Sequence, residues 1–142
     1  MQVSEMMNRH VVTISPDETA ELAARLLSRN NVGSLPVCGS DGKLRGMVTD
    51  RDIVLRCVAA ENDPGTTPVR EIMSRGIVTV TPEEDVKEAA RLMAHEQLRR
   101  LPVVREGQVV GMVTLADIAR SNRYDMEASR ALSEISTNLR RR

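Results

Sequence analysis

The chain has 142 residues, 41% of them hydrophobic and 28% charged, with 20 basic side chains matched by 20 acidic ones. That apolar content supports a packed core and excludes a disordered chain, while the neutral balance leaves no global field to draw in nucleic acid or a membrane surface. Tyr124 is the single aromatic residue, so the stacking platforms of single-stranded nucleic acid binders are missing, and the core has to be built from Val, Ile, Leu, Met and Ala.

No apolar run reaches the length of a transmembrane helix, and the N-terminus carries no signal-peptide pattern. Cys38 and Cys57 are too few for a disulfide scaffold. The expected location is therefore a reducing cytoplasm, with no membrane and no nucleic acid partner.

Taken in chain order, a short apolar strand is expected around Val11–Ile14. It ends at Ser15-Pro16-Asp17-Glu18, a hydroxyl at the N-cap position followed by proline and glutamate, which reads as a helix start. The helix that follows carries Ala20, Ala23, Ala24 and Leu27 on one stripe. Next comes a hairpin, Leu35–Cys38 with Leu44–Thr49, and a second helix from Asp50. Pro36 cannot donate to a ladder, so its strand is expected to have a free edge there. Residues 61–68, with Asn62, Asp63, Pro64 and Gly65, read as a linker.

The same order then repeats. Val12-Thr13-Ile14-Ser15-Pro16 returns as Val78-Thr79-Val80-Thr81-Pro82, Ala23-Ala24-Arg25-Leu26-Leu27 as Ala89-Ala90-Arg91-Leu92-Met93, and Leu35-Pro36-Val37 as Leu101-Pro102-Val103. All three are displaced by 66 positions. Gly46-Met47-Val48-Thr49 returns as Gly111-Met112-Val113-Thr114 at a displacement of 65, so one residue is lost where a hairpin tip tolerates it. The second repeat has its strand at Ile77–Val80, its helix stripe at Val86, Ala89, Ala90 and Met93, and its hairpin at Leu101–Val104 with Val109–Thr114.

The expected fold is α+β, close to an α/β sandwich, made of two β-α-β-β-α repeats. Each is too small to bury both faces of its sheet, so the two are expected to pack by pseudo-two-fold symmetry. The expected boundaries are a first repeat over 1–60, the linker over 61–68, a second repeat over 69–121 and a helical tail over 122–142. In that tail Ala128, Leu132, Ile135 and Leu139 form a stripe that needs a partner surface, either on the same chain or on a second subunit. Arg140-Arg141-Arg142 suit a helix C-terminus.

The residues that carry chemistry are Thr49-x-x-Asp52 and Thr114-x-x-Asp117, each at a strand-to-helix junction. Backbone N–H groups at such a junction suit phosphate, and a first-turn carboxylate accepts from two vicinal hydroxyls of a ribose. The same spacing is also that of a capping box, and the two roles are compatible.

The order of elements, the Leu-Pro-Val strand and the Gly-Met-Val-Thr-x-x-Asp segment resemble the cystathionine-β-synthase (CBS) domain, present twice over about residues 1–121. The chain looks like the stand-alone bacterial CBS-pair proteins, including those of the hypoxic-response type. The resemblance implies two clefts between the repeats, adenosyl ligands (AMP, ADP, ATP or S-adenosylmethionine) and a homodimer of two pairs forming a disc. It implies that Asp52 and Asp117 each hold a ribose, with Thr49 and Thr114 near ribose or phosphate. Adenine would lie among Thr13, Ile14, Leu35 and Pro36 in one cleft, and among Thr79, Val80, Leu101 and Pro102 in the other.

The repeats differ before the Leu-Pro strand, where Gly33-Ser34 stands against Arg99-Arg100. Arg99 and Arg100 either clamp a phosphate, serving the ligand whose ribose is on Asp52, or are solvated strand-edge charges. The Asp117 cleft is then expected to be weaker, or to take an uncharged adenosyl group. His10, His95, Cys38 and Cys57 share no metal-ligand spacing, so no metal site is expected. Cys57 reads as a buried inert thiol and Cys38 as the better candidate for redox activity. No nucleophile–base pair or paired acids stand out, so no catalytic residues and no required cofactor are expected. The leading expectation is a regulatory module that passes ligand binding to an unidentified partner protein. The alternative is a constitutive dimeric scaffold with empty clefts.

Overall fold

A computed structural model of the protein describes residues 1–121 and 125–141, with the side chains of 125 and 138–141 left aside. The architecture is a mixture of helices and antiparallel hairpins, as expected. In chain order it comprises α1 (Ala20–Asn30), β1 (Ser34–Cys38), β2 (Leu44–Thr49), α2 (Asp50–Ile53, continuing as a π-helical turn over Val54–Val58), α3 (Val86–Glu96), β3 (Arg100–Arg105), β4 (Gln108–Thr114), α4 (Leu115–Ala119) and α5 (Asp125–Arg141). Short 3-10 turns lie at Val3–Glu5 and Val69–Glu71. The chain forms two compact units: residues 12–77, and residues 1–11 together with 78–142.

The hairpins carry the repeat. β1 pairs with β2 from Ser34↔Thr49 to Val37↔Gly46, then shifts register before Cys38↔Leu44. β3 pairs with β4 from Arg100↔Thr114 to Val103↔Gly111, with the shift between Val103 and Val104. The second tip is tighter, turning at Glu106 and Gly107, whose φ values of 52° and 81° suit a two-residue hairpin turn. The missing residue of the second repeat is lost there.

The expected strands at Val11–Ile14 and Ile77–Val80 shrink to single bridges, Ile14↔Val37 and Val80↔Val103, both parallel. Proline explains the shortening. The Ile14 N–H donates to the Pro36 carbonyl at 3.1 Å and the Cys38 N–H donates to the Ile14 carbonyl at 2.9 Å. The next rung would need an N–H from Pro36, which has none. Pro102 limits Val80 in the same way.

The helices also begin later than the sequence signal at Ser15 and Thr81. α1 is capped by Thr19, whose side chain accepts from the Leu22 N–H, and α3 by Asp85, whose side chain accepts from the Lys87 N–H. The residues between are held as turns because another segment uses their carbonyls. Val69 and Arg70 donate to the carbonyls of Glu18 and Pro16, at 2.8 and 2.9 Å. Val3 and Ser4 make the equivalent bonds to Glu84 and Pro82, at 2.8 and 2.9 Å.

A segment outside the hairpin therefore completes each unit, following it in the first and coming from the N-terminal residues in the second. Ser74 exchanges hydrogen bonds with Met47, at 2.8 and 3.0 Å, on the outer side of β2, and Asn8 exchanges them with Met112, at 2.8 and 2.9 Å, on the outer side of β4. Val69, Ile72 and Met73 enter the core of the first unit beside Ala23, Leu35 and Val48. Val3 and Met7 enter that of the second beside Ala89, Leu101 and Val113.

α5 packs on α3 and α4 within the second unit. Among its described side chains Ala128, Ala131 and Ile135 are buried, whereas Leu132 is 46% exposed, so the apolar stripe runs through Ala131 rather than Leu132. Small residues on both sides allow this register, since Ala128 and Ala131 belong to the same cluster as Ala90 and Ala94. The side chains of Leu139 and Arg140 to Arg142 lie outside the described residues. The first unit has no such cover: Ala24 is exposed, although its counterpart Ala90 is buried.

Gly46 opens the Gly-Met-Val-Thr segment because the outer segment lies against it. A Cβ there would sit 2.5 Å from the Ser74 carbonyl oxygen and 3.0 Å from Met73 Sδ. At Gly111 the nearest atoms belong to the Met7 side chain, at 2.6 and 2.9 Å, with the Asn8 carbonyl at 3.1 Å. Gly46→Ala is expected to destabilise the protein by about 1–3 kcal/mol through overpacking against backbone. Gly111→Ala should cost less, because a methionine side chain can move. Urea unfolding of the two variants, read at the transition midpoint, checks the order.

Candidate ligand-binding turns

Each repeat closes its hairpin at a threonine and starts a helix at the next residue. In the first, Thr49 Oγ1 accepts from the Asp52 N–H at 3.0 Å, and Asp52 Oδ2 accepts from the Thr49 N–H at 3.0 Å. In the second, Thr114 Oγ1 and Asp117 Oδ2 make the same pair of bonds, both at 3.1 Å. Both turns are thus complete capping boxes. Capping uses only one carboxylate oxygen, and Oδ1 is left outside the box in each case.

Most of the backbone N–H groups at the two junctions already have acceptors within the fold. The Asp50 N–H donates to the Gly33 carbonyl at 3.1 Å, and the Arg51 N–H donates to Asp50 Oδ1 at 2.8 Å. The Leu115 N–H donates to the Arg99 carbonyl at 2.7 Å. With the Asp52 and Asp117 N–H groups in the capping boxes, these donors already have acceptors. α4 spans only Leu115–Ala119, too short to build up a substantial dipole. The main source of positive charge for a phosphate is therefore side chains.

The residues expected around the two turns divide by burial. Ile14, Leu35, Val80 and Leu101 are core residues, the two leucines completely buried, so their side chains form the floor of the unit. Pro36 and Pro102 are buried in their strands, with their carbonyls accepting from Ile14 and Val80. Thr13 is exposed and Thr79 half-buried. Arg100 is half-buried opposite Thr114, as Ser34 lies buried opposite Thr49, and Arg99 is exposed. Within each unit the residue before the Leu-Pro strand and the Thr-x-x-Asp turn are thus joined by backbone hydrogen bonds.

Two arginines at the aspartates carry no motif, although their spacing from the carboxylates, i+4 and i+3, is that of helical ion pairs. Arg56 Nε lies 3.8 Å from Asp52 Oδ1, while its Nη1 donates to the carbonyls of Ile72 and Met73, both at 3.3 Å. Arg120 Nη1 donates directly to Asp117 Oδ1 at 2.9 Å. The Asp52 side chain is 10% exposed and that of Asp117 21%.

A hollow of about 480 Å³ lies elsewhere, between α3 and α5, lined by Lys87, Arg91, His95, Met126, Glu127 and Arg130 among others. None of the residues expected around the Thr-x-x-Asp turns lines it. Among the described residues, no group of three or more His, Cys, Asp or Glu side chains is placed to hold a metal ion. No described helix is long and apolar enough to cross a membrane.

The paired hairpins, each closed by a Thr-x-x-Asp box and repeated along one chain, define a tandem arrangement, and the CBS domain family matches residues 3–58 and 69–123. The chain belongs to that family. It is 43% identical to the CBS domain-containing protein YhcV of Bacillus subtilis, covering 94% of both chains. It is 40% identical to hypoxic response protein 1 of Mycobacterium tuberculosis, covering 82% of this chain and 81% of that protein. A crystal structure of Hypoxic Response Protein I with two coordinated zinc ions superposes with a TM-score of 0.78 at 39% identity, covering 84% of this chain and 98% of that one. The CBS domain pair of protein MJ0100, in complex with 5′-methylthioadenosine and S-adenosyl-L-methionine, superposes with a TM-score of 0.74 at 30% identity, covering 84% and 94%.

Cys57 is fully buried in the core, where a thiol behaves as a small apolar group. Cys38 is half-buried at the end of β1, and burial, helped by the neighbouring Asp41 carboxylate, pushes its thiol above the ordinary cysteine range. A raised pKa lowers the thiolate fraction, which argues against the redox role. Alkylation of Cys38 by iodoacetamide at pH 8 is expected to run several-fold slower than that of free cysteine. Mass spectrometry of a timed reaction checks this, and a rate above that of free cysteine would contradict the assignment.

Proposed function

We propose that this protein is a non-catalytic regulatory module that binds adenosine-containing ligands at its two Thr-x-x-Asp turns and signals their presence to a partner protein. The observation that carries the reading is the geometry of Asp52. Its carboxylate is nine-tenths buried, Oδ2 is held by the capping box, and among the described residues Oδ1 has only the Arg56 guanidinium, at 3.8 Å, beyond hydrogen-bond distance. Burying such a charge is costly unless it is paired and hydrogen-bonded, and the vicinal hydroxyls of a ribose supply two donors of suitable spacing.

The ligands of the MJ0100 pair support the class, since methylthioadenosine and S-adenosylmethionine share an adenosine with an intact ribose diol. Asp52 and Asp117 hold the ribose, with Thr49 and Thr114 beside it. The adenine lies over the segments of Thr13, Ile14, Leu35 and Pro36 in one repeat and of Thr79, Val80, Leu101 and Pro102 in the other, with the completely buried Leu35 and Leu101 beneath it as packing support. Arg99 and Arg100 provide the positive charge for a phosphate when AMP, ADP or ATP is the ligand. The module works as a homodimer in a reducing cytoplasm, which suits its two free cysteines.

Thermal denaturation with adenosine, AMP, ATP and S-adenosylmethionine tests the reading. A ligand that binds only the folded state, at a hundred times its Kd, stabilises by about 2.7 kcal/mol and raises the Tm by several degrees. Asp52→Asn keeps one carbonyl oxygen for the capping box and replaces the other oxygen with an NH₂ donor, so it should abolish most of the shift while leaving the ligand-free Tm nearly unchanged. No shift with any of the four compounds would favour a constitutive scaffold, in which Thr-x-x-Asp only caps helices.

A further inference from the structure

The two aspartates are equivalent in sequence and unequal in structure, and the difference lies in their arginines. Arg56 belongs to the π-helical turn that continues α2, and its Nη1 is anchored to the carbonyls of Ile72 and Met73. Its nearest approach to Asp52 Oδ1 is 3.8 Å, so it lends positive charge without occupying the oxygen. Arg120 is the C-cap of the five-residue α4, one turn from Asp117 at the third helical position. Among the described residues its side chain folds back onto Asp117 Oδ1 and reaches no backbone carbonyl as Arg56 does.

We infer that Arg120 is a specificity-determining residue: it competes internally for the Asp117 oxygen that a ligand hydroxyl would otherwise use, and so makes the second turn the weaker site. The inference rests on the ribose-holding role of the aspartates given above. A donor approaching Asp117 Oδ1 must displace or share the Arg120 contact, whereas Asp52 Oδ1, although more buried, accepts no hydrogen bond from Arg56, which stays 3.8 Å away. Arg120 is 75% exposed, so the pair is weak, as solvated ion pairs are, and the handicap it imposes is modest. The two positions correspond imperfectly along the chain: Leu55 stands where the second repeat has Arg120, and Ser121 where the first has Arg56. The first turn therefore has no equivalent competitor.

Calorimetric titration with adenosine, which has a ribose and no phosphate, separates the outcomes. In the full-length protein Asp52→Asn should remove the stronger binding event and expose the weaker one. Adding Arg120→Ala to that variant should tighten the remaining event by about two- to fivefold, and Arg120→Lys, which keeps the charge but loses the planar fork, should fall between. Remaining binding that is unchanged, weaker or absent after Arg120→Ala overturns the inference while leaving the role of Asp52 intact. If Asp52→Asn has no effect on the stronger event, the ribose reading itself fails, and this inference fails with it.

Discussion

The fold depends on one close approach, that of a backbone segment to the outer edge of a glycine-bearing strand. At Gly46 the Ser74 carbonyl lies where a side chain would begin, and the Met47 and Ser74 peptides exchange two hydrogen bonds beside it. Asn8 and Met112 repeat the arrangement at Gly111. That contact closes the free edge of a two-stranded ribbon, which alone is marginal in water. It also brings in the 3-10 turns whose Val69 and Val3 are completely buried. The start of the long helix in each unit is shaped by the same segment, because its peptide N–H groups take the carbonyls of Glu18 and Pro16, or of Glu84 and Pro82.

Much of this was legible in the sequence. The 66-residue register located both hairpins, the shortened second tip and the equivalence of the two Thr-x-x-Asp turns. What the sequence could not show was which segment completes which unit. Val3, Glu5 and Met7 match Val69, Glu71 and Met73 at the same displacement, which marks the two turns as equivalent but does not say where either one docks. The helix starts were misplaced for a related reason, since Ser15 and Thr81 carry a local capping signal that long-range bonding overrides. In α5 the buried stripe runs through Ala131, in the same core cluster as Ala90 and Ala94, and not through Leu132, a choice that periodicity alone does not make.

At the site, the sequence left capping and ligand binding as compatible alternatives, and in the structure capping occupies one oxygen of each carboxylate, Oδ2. Oδ2 belongs to the fold in both repeats. Oδ1 is where they diverge, through Arg56 and Arg120, neither of which falls in a motif. Their roles depend on whether a guanidinium finds backbone carbonyls in reach, as Arg56 does at Ile72 and Met73, and spacing does not reveal that. The N–H groups of the junctions showed the opposite pattern. They look available from the sequence, but those of Asp50, Asp52, Leu115 and Asp117 are already bonded to Gly33, Arg99 and the capping side chains.

The interleaving of residues 1–11 with 78–142 has a topological consequence. A half-length chain carrying a single repeat would have an arm with no place to dock and a glycine strand with an open edge. Both defects vanish if two such half-chains trade arms. The present chain makes that trade within one molecule, so its repeats are joined by reciprocal exchange as well as by the peptide link between them. Cutting the chain between the repeats would therefore give two fragments that complement each other, rather than two independent domains.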